Sequence, residues 1–185
     1  MSGAKIDAVL AAIAALSEAE RRELFSRLGV RPILARATQP TLFSEFAANT
    51  LTGPADYVIV FDGGSLGNPG RGYGSYVVIT DDRREVKRLN FGEGMTNNEA
   101  EYATLLQALD DVQGRIERAA RLPEEFTIEV RGDSALVLNQ VAGDWKAKDE
   151  RMRLMRDSVR RALQRFRANR LTPQPREATV KLLGH

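Results

Sequence analysis

Cysteine is missing from the 185 residues, and histidine occurs once, as the last residue, His185. The first absence rules out disulfides, thiolate metal sites and a cysteine nucleophile. The second rules out histidine-rich zinc sites and leaves a Ser-His-Asp triad without an internal base. Any metal on this chain is therefore expected on oxygen ligands, the preference of Mg²⁺ and Mn²⁺. No run of 18 apolar residues occurs, so no membrane-spanning helix is expected. The apolar start is interrupted by Asp7, and Glu18 and Glu20 stand where a signal peptide would carry small residues at its cleavage site. It reads as a soluble amphipathic helix, and residence in the cytoplasm is the expectation. With 43% hydrophobic residues, the chain can bury one good core and carry a small appendage.

Positive charge is plentiful but uneven. Residues 145–170 hold ten Lys or Arg against Asp149, Glu150 and Asp157, a local net of +7 in a chain whose total is +2. The remainder is therefore net −5, and a basic element on an acidic body points to a polyanionic partner.

Residues 1–53 read as a helical hairpin and linker. A helix over 4–16 is followed by the capping box Ser17-Glu18-Ala19-Glu20 and a second helix to about Leu28, where Gly29 stops it. A short helix over 42–48, capped by Thr41, leads to the turn Thr52-Gly53-Pro54. Six basic and five acidic residues make no case for nucleic acid in this segment. A protein partner or self-association is the expected use.

Residues 54–185 change period. Strands are predicted over 57–61, 73–80, 85–93 and 126–131, and helices over 97–120, 134–142 and 148–168. A last strand is predicted over 178–183, after a loop punctuated by Pro173 and Pro175. The glycines between residues 63 and 72 read as a loop entering a hairpin; no Gly-Lys-Ser/Thr follows to make them a phosphate cradle. The order β-β-β-α-β-α-α-β predicts an α/β fold, a mixed sheet with helices on its faces.

Three carboxylates stand where chemistry gathers. Asp62 closes the first strand, and Asp133 follows the fourth after one glycine; if those strands are parallel neighbours, the two acids converge. Glu101 shares a helix face with Leu105, Leu109 and Val112, whereas Glu99 falls with Ala103 and Gln107 on the face expected to meet solvent. A core-side carboxylate needs compensation, and three clustered acids do not all stay ionised without cations. Two divalent ions roughly 3.5–4 Å apart can activate water and stabilise the leaving oxygen of a phosphodiester, with no protein nucleophile. The basic run would hold the nucleic-acid backbone nearby. Trp145, the only tryptophan, reads equally as a packing anchor or a stacking platform.

The segments Asp62-Gly-Gly-Ser-Leu-Gly-Asn-Pro-Gly, Met95-Thr-Asn-Asn-Glu-Ala-Glu-Tyr102, Gly132-Asp-Ser134 and Trp145-Lys-Ala-Lys together resemble type 1 ribonuclease H, in its compact bacterial and archaeal variety. The resemblance spans roughly residues 56–185. It implies a ribonuclease H-like five-stranded mixed sheet flanked by helices, and an endonuclease hydrolysing the RNA strand of RNA–DNA hybrids by two-metal-ion catalysis. By resemblance, Asp62, Glu101 and Asp133 are the catalytic, metal-binding carboxylates for Mg²⁺ or Mn²⁺, two ions being expected with substrate. Asn68, Thr96, Asn97 and Asn98, joined by Lys146 and Lys148, would contact the hybrid, and hydrogen bonds to 2′-hydroxyls would tell RNA from DNA. Thr96 or Asn97 can cap the helix as well.

One departure stands out. The family continues past its fifth strand into a loop and a final helix bearing a fourth carboxylate. With the last strand placed at 178–183, that helix is expected to be missing, and no Asp or Glu follows Glu177. A C-terminally short domain with a weakened second metal site is the expectation. The alternative function is a non-catalytic RNA–DNA hybrid or duplex nucleic-acid-binding module with a degenerate active site.

Overall fold

Residues 57–61, Tyr-Val-Ile-Val-Phe, are β-branched or aromatic without a break, which suits a strand packed on both faces. In the computed structural model, residues 51–184 are described; the expectations for residues 1–50 and for His185 lie outside them. The run opens β1, Tyr57–Gly67, and Ile59, Val60 and Phe61 are essentially inaccessible. A hairpin joins it to β2, Gly70–Ile79, and a second antiparallel pairing adds β3, Arg84–Met95. Helix α1, Asn97–Arg118, then crosses to β4, Thr127–Gly132, after a short 3₁₀ turn. Helices α2, Ala135–Ala142, and α3, Glu150–Leu163, lead to β5, Ala168–Pro173, and the chain ends in α4, Arg176–Leu183. The sheet order is β3-β2-β1-β4-β5, with β1–β4 and β4–β5 parallel. Among the described residues no helix is long and apolar enough to cross a membrane.

Strand alternation divides the burial between two faces. Ile59, Phe61, Tyr76, Val78, Ile128 and Val130 share a core with Tyr102, Leu105, Leu109 and Val112 of α1 and with Val141, Val159 and Leu163 of α2 and α3. Truncating one such residue, Leu105→Ala for example, costs roughly 2–5 kcal/mol through lost burial and the cavity left behind. On the other face Val60 and Val77 pack with Leu183 of α4. The Leu51 amide donates to the Asn169 carbonyl at 3.0 Å, so the described chain begins along the β5 edge.

Several sequence expectations are corrected by this topology. The predicted strand over 178–183 is the helix α4, and the fifth strand is Ala168–Pro173, inside the stretch assigned to the preceding helix and loop. Short apolar runs do not distinguish strand from helix. Thr179 and Leu183, buried four residues apart, show the helical phase, and Pro175 fits a helix start as well as a loop. A helix therefore does follow the fifth strand. The glycine-rich stretch is also largely strand rather than loop, because β1 runs on to Gly67. Gly63 shows why glycine is needed there: a Cβ would lie 2.6 Å from the Ala100 carbonyl and the Glu101 amide, so only hydrogen lets α1 approach β1 this closely.

Candidate active site

The parallel register ends with Phe61 opposite Gly132, so Asp62 comes next on β1 and Asp133 comes next in the chain, just past the end of β4. Asp62 is buried, and it sits within β1 rather than at its end, opposite Ser75 of β2. Glu101 is brought beside them by the start of α1. Thr96 caps that helix: its hydroxyl accepts from the Glu99 amide at 3.3 Å, while the Glu99 carboxylate accepts from the Thr96 amide at 2.8 Å and its hydroxyl at 2.9 Å. This reciprocal box fixes the first turn, and Glu101 projects from the turn that follows it.

Ser134 and Arg176 complete the cluster. The Ser134 hydroxyl donates to Glu101 Oε2 at 2.6 Å and accepts from the Val137 amide at 3.4 Å as the N-cap of α2. Arg176, the first residue of α4, places its guanidinium 3.2 Å from Asp133 Oδ2. Burial pushes the Glu101 carboxyl up to about 7, and the charges of Asp62 and Asp133 add to the effect. The Ser134 hydrogen bond and the Arg176 charge pull the other way without cancelling it. Among the described residues Glu101 is paired with no Lys or Arg.

The comparisons with known proteins meet this geometry. The family described as "Reverse transcriptase-like" matches residues 60–180, which contain all three acids. Ribonuclease HI of Halobacterium salinarum is 38% identical over 117 residues, covering 63% of this chain and 55% of that protein. The crystal structure of RNase H1 from the same archaeon superposes with a TM-score of 0.58 at 32% identity, covering 66% of this chain and 88% of that one.

The chain belongs to the ribonuclease H family.

A second ribonuclease H structure, LC11-RNase H1 in complex with RNA/DNA hybrid, matches with a TM-score of 0.59 at 27% identity, covering 68% of this chain and 89% of that one. The chain spans just over half the length of the first curated relative.

Asn68, Thr96, Asn97 and Asn98 line one groove of about 560 Å³, together with Glu99, Asp149, Arg151 and Met152; none of the three acids is in its lining. Asn68 Oδ1 accepts from the Asn97 amide at 3.2 Å, and Asn97 Oδ1 accepts from the Ser65 amide at 2.8 Å. These bonds tie the β1–β2 turn to the start of α1. Glu99, placed on the solvent face by helical phase, is instead buried at 8% exposed and paired with Arg151 at 2.6 Å. The Thr-x-x-Glu spacing of Thr96 and Glu99 was the available signal, since a capping-box glutamate folds back onto its own helix end. Arg151 and Asp149 are groove residues that sequence reasoning did not single out.

Lys146 and Lys148 are exposed in the α2–α3 connection, outside the lining of that groove, and form no ion pair among the described residues. Trp145 beside them is 49% exposed. Much of the basic run serves the fold. Arg160 is buried and donates to the Val141 and Gln140 carbonyls at 2.8 and 3.0 Å, closing the end of α2. Arg151, Arg156, Arg165, Arg167 and Arg170 face Glu99, Asp157, Glu117, Asp56 and Glu129. The charge excess seen in the sequence is thus partly neutralised within the molecule.

The resemblance implies divalent cations, and the residues present fit them. The donors are hard oxygens, and the raised Glu101 carboxyl marks a cluster that added positive charge would relieve. Among the described residues no three acidic or histidine side chains stand in a ready-made metal-holding arrangement. Glu101 is turned to Ser134, and Asp133 to Arg176. Glu177, the only acid on α4, is exposed in its first turn.

Proposed function

We propose that this chain is an endonuclease that hydrolyses the RNA strand of RNA–DNA hybrids, with Mg²⁺ or Mn²⁺ held by Asp62, Glu101 and Asp133. The observation that carries the reading is the convergence of these acids from β1, α1 and the β4–α2 junction, with Glu101 pushed up to about 7 by burial and by its two neighbours. Ribonuclease H relatives support it, one of them solved with an RNA/DNA hybrid. When bound, two such cations supply an activated water and stabilise the leaving oxygen.

The chain's own residues supply position. The parallel strands fix Asp62 and Asp133, and Ser134 orients Glu101. Asn68, Thr96, Asn97 and Asn98 offer amides and a hydroxyl to a sugar-phosphate edge, where contact with 2′-hydroxyls would distinguish RNA from DNA. Lys146 and Lys148 add charge for the backbone. Residues 1–53 are assigned to a protein partner or self-association; comparing the size in solution of the full chain with that of a chain starting at Leu51 tests this.

The deciding experiment incubates labelled hybrid with the protein and Mn²⁺. Cleavage by the wild type, lost in Asp133→Asn with hybrid binding retained, supports the proposal; an equally active Asp133→Asn variant refutes it. The second reading, a non-catalytic hybrid or duplex binder, is favoured by the Asp133–Arg176 pair and by the lack of a ready-made ligand group among the described residues. It predicts a shifted complex and no fragments.

A further inference from the structure

Arg176 stands at a place where a cation has consequences. Its guanidinium reaches Asp133 Oδ2 at 3.2 Å from the first turn of α4, with its side chain 68% exposed and that of Asp133 only 14% exposed. Among the described residues no other Lys or Arg is paired with Asp133 or Glu101. A guanidinium and a divalent cation seek the same carboxylate lone pairs, and one oxygen cannot serve both at full strength. An ion pair formed by so exposed an arginine is weak and screened by salt, which suits a contact that must give way.

We propose that Arg176 is the resident counter-ion of the acidic cluster, displaced from Asp133 when a divalent cation binds, so that this one side chain sets the cation concentration at which the site fills. The proposal rests on the metal-binding reading of Asp62, Glu101 and Asp133. It also gives the Arg176–Asp133 pair a use: the arginine holds the carboxylate toward α4 until a stronger cation arrives.

The test is a calorimetric titration of the full chain with Mn²⁺ alone, without nucleic acid. Arg176→Gln should bind Mn²⁺ about two- to fivefold more tightly than wild type, the scale of one exposed ion pair. Arg176→Lys, which keeps the charge without the planar fork, should fall between the two. Lys181→Gln removes a charge from the same helix away from the acids and should leave the affinity near wild type. Thermal melting confirms that each variant is folded. Unchanged or weaker binding in Arg176→Gln, with wild-type binding that Asp133→Asn destroys, overturns the counter-ion role and leaves the metal site standing. Equal tightening in Lys181→Gln also overturns it, because the effect would then be general charge. A wild type that binds no Mn²⁺, or binding indifferent to Asp133→Asn, overturns both readings.

Discussion

Glu101 and Glu129 are the same residue type, one partly and one fully buried, and their surroundings push them in opposite directions. Glu129 lies on β4, four residues before Asp133, with its side chain 3% exposed. Burial works to raise it, but Arg131 at 2.8 Å, Arg170 at 2.8 Å and the Thr172 hydroxyl at 2.6 Å outweigh that and hold it down to about 2. Glu101 meets Ser134 and two other acids, and it rises to about 7. The difference teaches how to separate architecture from a site. An acid provided with its own arginines joins β4 to β5; an acid whose neighbours are acids keeps a charge that the fold does not compensate.

The largest way to break this contrast is at the acid cluster. Asp133→Asn should lower hybrid cleavage by at least on the order of 10²–10³-fold, the scale of removing one electrostatic group from a transition state, with melting little changed. Timed cleavage assays and melting curves read both. The mirror experiment is Glu129→Gln, which should cost roughly 2 kcal/mol in denaturant unfolding while cleavage per folded molecule stays the same. That figure is below the about 3–5 kcal/mol of a fully buried broken pair, because Arg131 and Arg170 are 37% and 31% exposed.

Ser134→Ala removes the cap of α2 and the clip on Glu101 together. A stability loss of about 1 kcal/mol is expected, with Ser134→Thr largely restoring it.

The smallest effect is in the pH dependence of the metal-free protein. Glu101 has a folded pKa above its ordinary 4.5, so its contribution is fully present below 4.5 and is lost as pH rises through about 7. Glu129 has a folded pKa below 4.5, so its contribution is present above 4.5 and is lost as pH falls toward about 2. Melting in EDTA should therefore show wild type falling behind Glu101→Gln between pH 4.5 and 7. The deficit of Glu129→Gln should shrink only in stronger acid.

Much of this was legible before the fold was known. The unbroken apolar run at 57–61 marked a strand buried on both faces, and the spacing of Leu105, Leu109 and Val112 put Glu101 on the inner side of α1. The convergence of Asp62 and Asp133 needed one further fact, that β1 and β4 are parallel neighbours, and register is a tertiary property. What was misread lay where local signals compete. The run at 178–183 is short and apolar, and its helical identity comes from packing Leu183 against Val60 and Val77. The basic run looked like a surface for nucleic acid because the sequence does not show which arginines turn inward, as Arg160 does to close α2. Arg176 could not be tied to Asp133 at all until α4 was seen to follow β5.

Carboxyl-carbon NMR titration of the metal-free protein, repeated with Mg²⁺, tests the contrast most directly. The result predicted here is a Glu101 midpoint near 7 that falls well into the ordinary carboxylate range when Mg²⁺ is added, beside a Glu129 midpoint near 2 that does not respond. A Glu101 midpoint near 4.5, unmoved by Mg²⁺, would contradict it.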